Sequence, residues 1–275
     1  MRGTEGATVL VTGATAGLGF AVAGELARAG AHVLVHGRHP GRVETSVEAL
    51  GDEARVAPTG YVADFARLSD VRRLAEEVRA NHERLDVLIN NAGIGAGAHT
   101  EGRQTSDDGH ELRWQVNYLA PFLLSRMLLP LLRQSAPARI VNVASGAQQA
   151  IDFDDVMLEH GYDGWRAYSQ SKLAIVADTF DLSAQIDPSE VTVNALHPAS
   201  LMDTKMVRES VGTAQGSLDE GVDAVLRLAA DPELDAVTGQ YFSGTSPARA
   251  HDQAYDADAR AALVRHAEAL TGLGG

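Results

Sequence analysis

A glycine-rich turn between a predicted strand and a predicted helix is the feature that most constrains the fold of this chain. The run Thr8–Thr12 is rich in β-branched residues, and Gly17–Ala29 has the spacing of an amphipathic helix. Gly13 permits a tight turn, Gly17 lets a ligand approach the backbone, and Gly19 lets the helix pack closely on the strand. Backbone N–H groups at a helix N-terminus attract anions, so the turn predicts a phosphate-binding site.

Short apolar runs alternate with longer amphipathic segments along most of the chain. The predicted strands are Thr8–Thr12, His32–His36, Arg55–Gly60, Val87–Asn90, Arg139–Ala144, Thr192–Leu196 and Gly239–Ser243. The predicted helices are Gly17–Ala29, Leu68–Asn81, Gly109–Arg133, Trp165–Gln185 and a surface helix within Arg249–Leu270. Strands separated by helical crossovers pair in parallel. The pattern predicts an α/β fold: a doubly wound (Rossmann) parallel sheet of about seven strands, with helices on both faces.

Composition limits the classes of function. The chain has 275 residues, 45% of them hydrophobic, which fits a single domain over residues 1–275. A net charge of −14 without basic runs argues against a nucleic-acid or anionic-membrane partner. The absence of cysteine excludes disulfides and thiolate ligands, and no metal site is expected. We find no signal-peptide pattern and no apolar stretch of about 18 residues, and we expect a cytoplasmic protein without a membrane segment.

The glycine turn and the end of the second predicted strand together indicate a dinucleotide and suggest which one. The turn residues expected to contact it are Gly13, Thr15, Ala16, Gly17, Leu18 and Gly19. At the end of the second strand, NAD enzymes carry a carboxylate for the ribose, whereas an arginine accommodates a 2′-phosphate. Gly37 stands at that position and Arg38 follows it. The sequence therefore favours NADP(H) over NAD(H), unless Arg38 is an ordinary surface arginine that caps the turn before Pro40.

Two further groups follow predicted strands at the edge where ligands bind in open parallel sheets. Asp64 follows the third strand and is placed to accept a hydrogen bond from an adenine amino group. Asn91, Ala92 and Gly93 follow the fourth strand, where small residues leave room for a ribose. Asparagine and glycine are also common at strand ends, so an ordinary turn is the alternative interpretation.

The chemistry-bearing residues lie further along the chain, in a strand that ends in Ser145 and in the sequence Tyr168-Ser-Gln-Ser-Lys172. The ordered series Thr-Gly-x-x-x-Gly-x-Gly, Asn-Asn-Ala-Gly, strand-end serine and Tyr-x-x-x-Lys resembles the short-chain dehydrogenase/reductase family over nearly the whole chain. Segments such as Ala138–Val143 and Ala167–Ala174 look most like its retinol-dehydrogenase-like branch.

The resemblance implies a role for each of these residues. Ser145 would bind the substrate oxygen and Tyr168 would transfer the proton. A free phenol titrates near pH 10, so Lys172, one helical turn away, would lower the pKa of Tyr168 and hold the nicotinamide ribose. Asn117 would hold a water that links this lysine to solvent. The alternative interpretation is that Asn117 is a polar helix residue without a catalytic role.

Two segments depart from the usual family pattern. Gly146–Ala167 is longer than in many members and lies at the expected mouth of the substrate site, where Gln148, Gln149, Tyr162 and Trp165 are candidate lining residues. The other segment is Ser200–Ser217. It follows His197-Pro198-Ala199, where the family usually carries Pro-Gly. Pro198, Leu201 and Thr204 are candidate cofactor contacts there. Met202, Met206 and Val207 suggest an apolar substrate wall, although methionines of this kind are often core residues.

The resulting hypothesis is an NADP(H)-dependent oxidoreductase that interconverts a ketone or aldehyde and an alcohol, on a bulky hydrophobic substrate. A homodimer or homotetramer is expected, because the helices that carry Asn117 and Tyr168 form interfaces in similar enzymes. The alternative from another class is a non-catalytic NADP-binding regulator, which would commonly lack the tyrosine or lysine. A lyase or epimerase is disfavoured by the glycine spacing and by the absence of a longer C-terminal substrate domain.

Overall fold

A computed structural model describes residues 4–97, 102–200, 202 and 216–273. The strands are β1 (Thr8–Val11), β2 (His32–Gly37), β3 (Thr59–Val62), β4 (Val87–Asn90), β5 (Ala138–Val143), β6 (Val191–His197), β7 (Tyr241–Ser243) and β8 (Ser246–Pro247). They form one sheet in the order β3-β2-β1-β4-β5-β6-β7-β8. The first seven pair in parallel, and β8 returns antiparallel to β7. The predicted doubly wound parallel sheet is confirmed.

The helices cover both faces of this sheet. They are α1 (Gly17–Arg28), α2 (Pro40–Gly51), α3 (Leu68–Asn81), α4 (Leu112–Trp114), α5 (Ala120–Gln134), α6 (Gly164–Ser183), α7 (Leu218–Ala230) and α8 (Ala257–Thr271). A π-helical segment, Gln115–Leu119, joins α4 to α5 without a break. Single turns of 3₁₀ helix lie at Pro232–Leu234 and Asp252–Tyr255.

Two apolar cores form because successive side chains of a strand point to opposite faces of the sheet. In β1, Leu10 lies in the core that contains α3, α5, α6 and α8, whereas Val9 and Val11 lie in the core that contains α1 and α7. All three are fully buried. This burial on both faces explains why the central strands read as continuous apolar runs rather than as alternating ones.

The structure corrects one predicted boundary and adds elements that the pattern did not predict. The third strand begins at Thr59 and not at Arg55, because Pro58 has no N–H for the ladder and restricts the residue before it. Helix α2 was not predicted, although Pro40 at its first position is a typical start signal. Helix α7 and the short antiparallel strand β8 were also missed.

The C-terminal helix α8 is more than a surface helix. It buries Leu263 and Ala267 in the same core as Leu173 and Ala177, two residues of α6 that are almost fully buried. Arg72 of α3 also donates a hydrogen bond to the carbonyl of Thr271. The chain therefore covers part of α6 with its own C-terminal helix, on one of the helices where pairing between subunits was expected.

Candidate active site

The glycine turn is tied to the neighbouring strand β4 by a network centred on Thr12. The Thr12 hydroxyl accepts the backbone N–H groups of Asn91 and Ala92 at 2.9 and 3.0 Å. The side-chain amide of Asn91 donates to the carbonyls of Thr12 and Gly13 at 2.8 and 3.2 Å. A Cβ at Gly19 would lie 2.3 Å from that amide nitrogen. Asn91 thus shapes the turn. Thr12 was not among the predicted site residues, because a hydroxyl residue at a strand end is the only indication that the sequence gives of its role.

The first turn of α1 is open to an anion. Gly13 and Gly17 have φ values of +66° and +54°, which favour glycine. Ala16 is the N-cap and provides no side-chain hydrogen bond, and the first turn holds no acidic residue. The N–H groups at the start of α1, from Gly17 to Gly19, therefore lack the side-chain acceptor that usually caps a helix. This arrangement fits a phosphate.

His36 is a residue of this region that the sequence did not single out. Its Nδ1 accepts the N–H of Gly13 at 3.2 Å, its Nε2 bonds the carbonyl of Ala63 at 3.0 Å, and its ring stacks on Phe65 at 4.5 Å. Burial lowers the pKa of His36 from 6.5 to about 4. The neutral imidazole therefore links the glycine turn, the end of β2 and the end of β3.

Two arginines that follow β2 have no carboxylate partner among the described residues. Gly37 has no room for a side chain, because a Cβ would lie 2.4 Å from Cγ2 of Thr15. Arg38 and Arg42 are exposed, and Arg42 lies in the first turn of α2. That turn contains no acidic residue and no side-chain cap. The two guanidinium groups and the open helix N-terminus are suited to an added phosphate, and Arg42 was not predicted because α2 was missed.

The remaining predicted contacts of the adenosine and ribose lie at the same edge of the sheet. Asp64 follows β3 and is half-buried, and its Oδ1 accepts the N–H of Ala66 at 3.0 Å. Gly93 lies between the two halves of the site, since a Cβ there would be 3.2 Å from Asn117 Oδ1 and 3.5 Å from Lys172 Nζ. Gly93 thus keeps the backbone close to both side chains.

Ser145, Tyr168 and Lys172 meet at the carboxyl end of β5. Ser145 lies two residues beyond the strand, and its Oγ accepts the N–H of Ala147 at 3.1 Å. Tyr168 and Lys172 are one turn apart in α6, and Lys172 Nζ lies 5.9 Å from the centre of the Tyr168 ring. Nζ also donates to the carbonyl of Val143 at 2.9 Å, which points the ammonium toward the strand end.

Burial has the largest influence on the pKa values of Tyr168 and Lys172. Burial raises the pKa of Tyr168, and the hydrogen bond to Ser145 opposes that rise. Burial also lowers the pKa of Lys172 to about 8. The role of Lys172 in lowering the pKa of Tyr168 stays a prediction: burial accounts for the net rise in that pKa, and the ammonium is held by the carbonyl of Val143.

Asn117 lies in the π-helical segment, where its side chain is fully engaged. Its Oδ1 accepts the N–H of Ile94 at 2.8 Å, and its Nδ2 donates to the carbonyl of Ile94 and to the Ser171 hydroxyl, both at 3.0 Å. These bonds fix the backbone after Gly93 against α6. π-Helical turns are frequent at functional sites, and here the segment sets the position of Asn117.

The long segment before Tyr168 differs in part from the expectation. Trp165 places its ring edge-on to Tyr168 at 6.1 Å, whereas Gln149 is exposed. Tyr162 is half-buried, and its hydroxyl accepts a hydrogen bond from Arg113 at 2.7 Å and donates one to the buried Glu111 at 3.2 Å. Burial raises the pKa of Tyr162 to about 12. This ionic cluster anchors the segment.

The segment after β6 is described only in part. Pro198 is buried and Ala199 packs against the core of α1 and α7. Met202 is also buried in that core, where its Sδ would lie 2.3 Å from a Cβ at Gly221, so it belongs to the core rather than to a substrate wall. The other predicted contacts and wall residues of this segment, Leu201, Thr204, Met206 and Val207, lie outside the described residues.

Neither a membrane helix nor a metal cluster is found in the described ranges. No helix there is long and apolar enough to cross a bilayer. No group of three or more histidine or carboxylate side chains is arranged there to hold a metal ion.

Comparison with known proteins places the chain among oxidoreductases. The family model of short chain dehydrogenases matches residues 7–215. Retinol dehydrogenase 13 of Mus musculus is 35% identical, over 98% of this chain and 84% of that protein. A protein of Streptomyces sp. (strain C5), named as a candidate daunorubicin C-13 ketoreductase, is 38% identical over 88% of this chain and 84% of its own length. A candidate short chain dehydrogenase of Escherichia coli CFT073, solved with NADPH, superposes with a TM-score of 0.73 at 25% identity, covering 88% of this chain and 97% of that one.

Proposed function

Because this chain belongs to the short-chain dehydrogenase/reductase family and is an oxidoreductase of that family, we propose that it reduces a ketone or aldehyde to an alcohol with NADPH. The observation that carries the proposal is the convergence of Ser145, Tyr168 and Lys172 at the end of β5, beside the uncapped first turn of α1. A non-catalytic regulator would need the nucleotide turn but not this set of side chains.

The residues at the nucleotide end fit NADP(H). The open N-terminus of α1 would hold the pyrophosphate, and Asp64 would face the adenine. Arg38 and Arg42, which have no carboxylate partner in the described part of the chain, would hold the 2′-phosphate. Gly37 leaves no carboxylate to repel that phosphate. The relative from Escherichia coli binds NADPH, which supports the same preference here.

The catalytic side chains are suited to protonate an oxygen. When bound, NADPH supplies the hydride that reduces the carbonyl carbon. Ser145 accepts the N–H of Ala147 through Oγ, which leaves its own O–H to donate to the substrate oxygen. Tyr168 then donates its phenolic proton to that oxygen as negative charge develops there. Lys172, fixed by Val143, presents a positive charge near the phenolate that forms.

Protonation favours the direction of reduction. Because burial raises the pKa of Tyr168, the phenol carries its proton at neutral pH, as a general acid must. Oxidation of an alcohol would require the phenolate at the start of the reaction. The same site can work in either direction, but its resting state is the one that reduction uses.

A bulky hydrophobic substrate is the class that best suits this chain. Trp165 presents an aromatic ring beside Tyr168. Two of the relatives are named for activity on retinol and on daunorubicin, both large compounds with extended apolar surfaces. Retinaldehyde and daunorubicin are therefore suitable first probes.

The test is NADPH oxidation with these two carbonyl compounds by the wild-type protein and by Tyr168→Phe. Loss of the proton donor should lower kcat by about 10²- to 10⁴-fold while the Kd of NADPH changes little. Tyr61→Phe, which removes a tyrosine hydroxyl that bonds His82 outside the catalytic group, is the matched control and should retain full activity. Retention of more than a tenth of the wild-type kcat by Tyr168→Phe would show that Tyr168 is not the acid.

A further inference from the structure

The backbone carbonyl of Ser145 is held by two side chains that the mechanism above does not use. The hydroxyl of Tyr241, in β7, donates to this oxygen at 3.0 Å, and Nε2 of Gln148 donates to it at 2.9 Å. A carbonyl oxygen has two lone pairs, so these two donors saturate it. The oxygen therefore has fixed partners on both sides.

This double hydrogen bond is needed because the peptide after Ser145 has little else to fix it. The next residue is Gly146, which is exposed and has no side chain to restrict rotation of the peptide. A Cβ at Gly146 would lie 3.3 Å from the ring of His197, so a larger residue would be crowded there. Rotation of this peptide would also displace the following N–H of Ala147, which donates to the Ser145 hydroxyl at 3.1 Å and fixes its direction.

Gln148 and the chain that follows it are in turn held by the C-terminal part of the protein. Oε1 of Gln148 accepts the N–H of His251 at 2.8 Å. A few residues further on, Gln253 accepts the N–H of Ile151 at 2.6 Å and donates to its carbonyl at 3.1 Å. The segment after Ser145 is thus bound to the chain between β8 and α8 at two points. Each contact joins residues that are about 100 positions apart in sequence.

We propose that Tyr241 and Gln148 are positioning residues that orient the Ser145 hydroxyl by fixing its backbone carbonyl. This inference rests on the proposed function, because it concerns the residue that binds the substrate oxygen. Tyr241 is buried, and burial raises its pKa to about 12, so its hydroxyl remains a donor over the whole range in which the protein is assayed.

The effect on catalysis follows from the role of the Ser145 hydroxyl as a donor to the substrate oxygen. If this hydroxyl turns away, the substrate oxygen loses a donor as negative charge develops on it. Tyr241→Phe and Gln148→Ala should therefore lower kcat, and neither substitution should lower it further when Ser145 is already replaced by alanine. A purely structural role would lower kcat in the Ser145→Ala background as well.

The experiment compares kcat and the KM of the carbonyl probe for the two variants, each alone and combined with Ser145→Ala, and for two controls. Tyr61→Phe is matched to Tyr241→Phe, since Tyr61 is a buried strand tyrosine whose hydroxyl bonds His82 at 2.7 Å. Gln185→Ala, at an exposed position after α6, is matched to Gln148→Ala. We expect a fall in kcat of about 10- to 100-fold in the two test variants, the scale of a small misplacement of a catalytic group, and no change in the controls.

The outcomes separate this inference from the proposed function. A kcat within twofold of wild type in either folded test variant, or an equal loss of kcat in the Ser145→Ala background, would overturn the positioning role. If Tyr241→Phe melts too low to assay, Gln148→Ala decides alone, because Gln148 is only half-buried. Full activity in Tyr168→Phe would instead overturn the proposed function.

Discussion

Acid should destabilise this fold through the buried histidine His36. His36 is almost fully buried as a neutral imidazole, with Nδ1 accepting from Gly13 at 3.2 Å and Nε2 bonded to Ala63 at 3.0 Å. Protonation would place an N–H at Nδ1 opposite the N–H of Gly13. Two donors would then face each other in a buried site, at the glycine turn.

The sign and size of the effect follow from the pKa of His36. Burial lowers this pKa from 6.5 to about 4, so the unfolded chain takes up the proton first as the pH falls. The stabilisation is therefore fully present above pH 6.5 and is lost progressively between pH 6.5 and 4. At about 1.4 kcal/mol for each pH unit, the loss in the free energy of unfolding amounts to roughly 3 kcal/mol.

Urea unfolding followed by tryptophan fluorescence, at several pH values between 4 and 8, measures this loss. His36→Asn should be less stable than wild type at pH 7, because it loses the stacking and one hydrogen bond, but its stability should fall less steeply with acid. The exposed neighbour His39 provides the control, and His39→Asn should keep the wild-type slope. The reasoning is refuted if His36→Asn and wild type lose the same free energy of unfolding between pH 6.5 and 4.

Two further predictions concern the cofactor and the assembly. Arg38→Ala and Arg42→Ala should each lower kcat/KM for NADPH by about 10- to 100-fold and leave that for NADH nearly unchanged; an equal effect on both cofactors would contradict a 2′-phosphate contact. Because α8 covers Leu173 and Ala177, subunits should not pair through α6. Asp181→Cys introduces the only thiol of the chain, on α6, and should therefore form no disulfide-linked dimer under oxidation. A disulfide-linked dimer would mean that the α6 helices pair as first expected.

Most of the sheet could be predicted because its strands are buried on both faces. A strand such as β1, with Val9, Leu10 and Val11 in two different cores, needs an unbroken apolar run, and such a run is visible in the sequence. The third strand was placed wrongly because the apolar residues before it, Val56 and Ala57, suggest a strand that Pro58 prevents. Helix α2 has few buried residues, so its apolar pattern is weak and only Pro40 marks its start.

The parts of the site that could be predicted are those encoded by local spacing. Tyr168 and Lys172 are four residues apart, which places both on one side of a helix wherever the helix lies. His36 and Tyr241 were missed because each contacts its partner across the fold, at separations of 23 and 96 residues. A histidine at a strand end and a tyrosine in a short strand have many ordinary explanations. Only the assembled sheet shows which backbone group each of them meets.

The buried polar groups of the site also explain why its protonation could not be predicted from sequence. A phenol beside an ammonium suggests an acidic phenol, but this inference assumes that both groups remain hydrated. Here Lys172 is 4% exposed and donates to Val143, and burial lowers its pKa to about 8 while it raises that of Tyr168. Near neutral pH both groups therefore carry their protons, and burial, together with the nearby Lys172 charge, lowers the pKa of His197. The site thus holds a proton on Tyr168 and a positive charge on Lys172, the two features that reduction of a carbonyl requires.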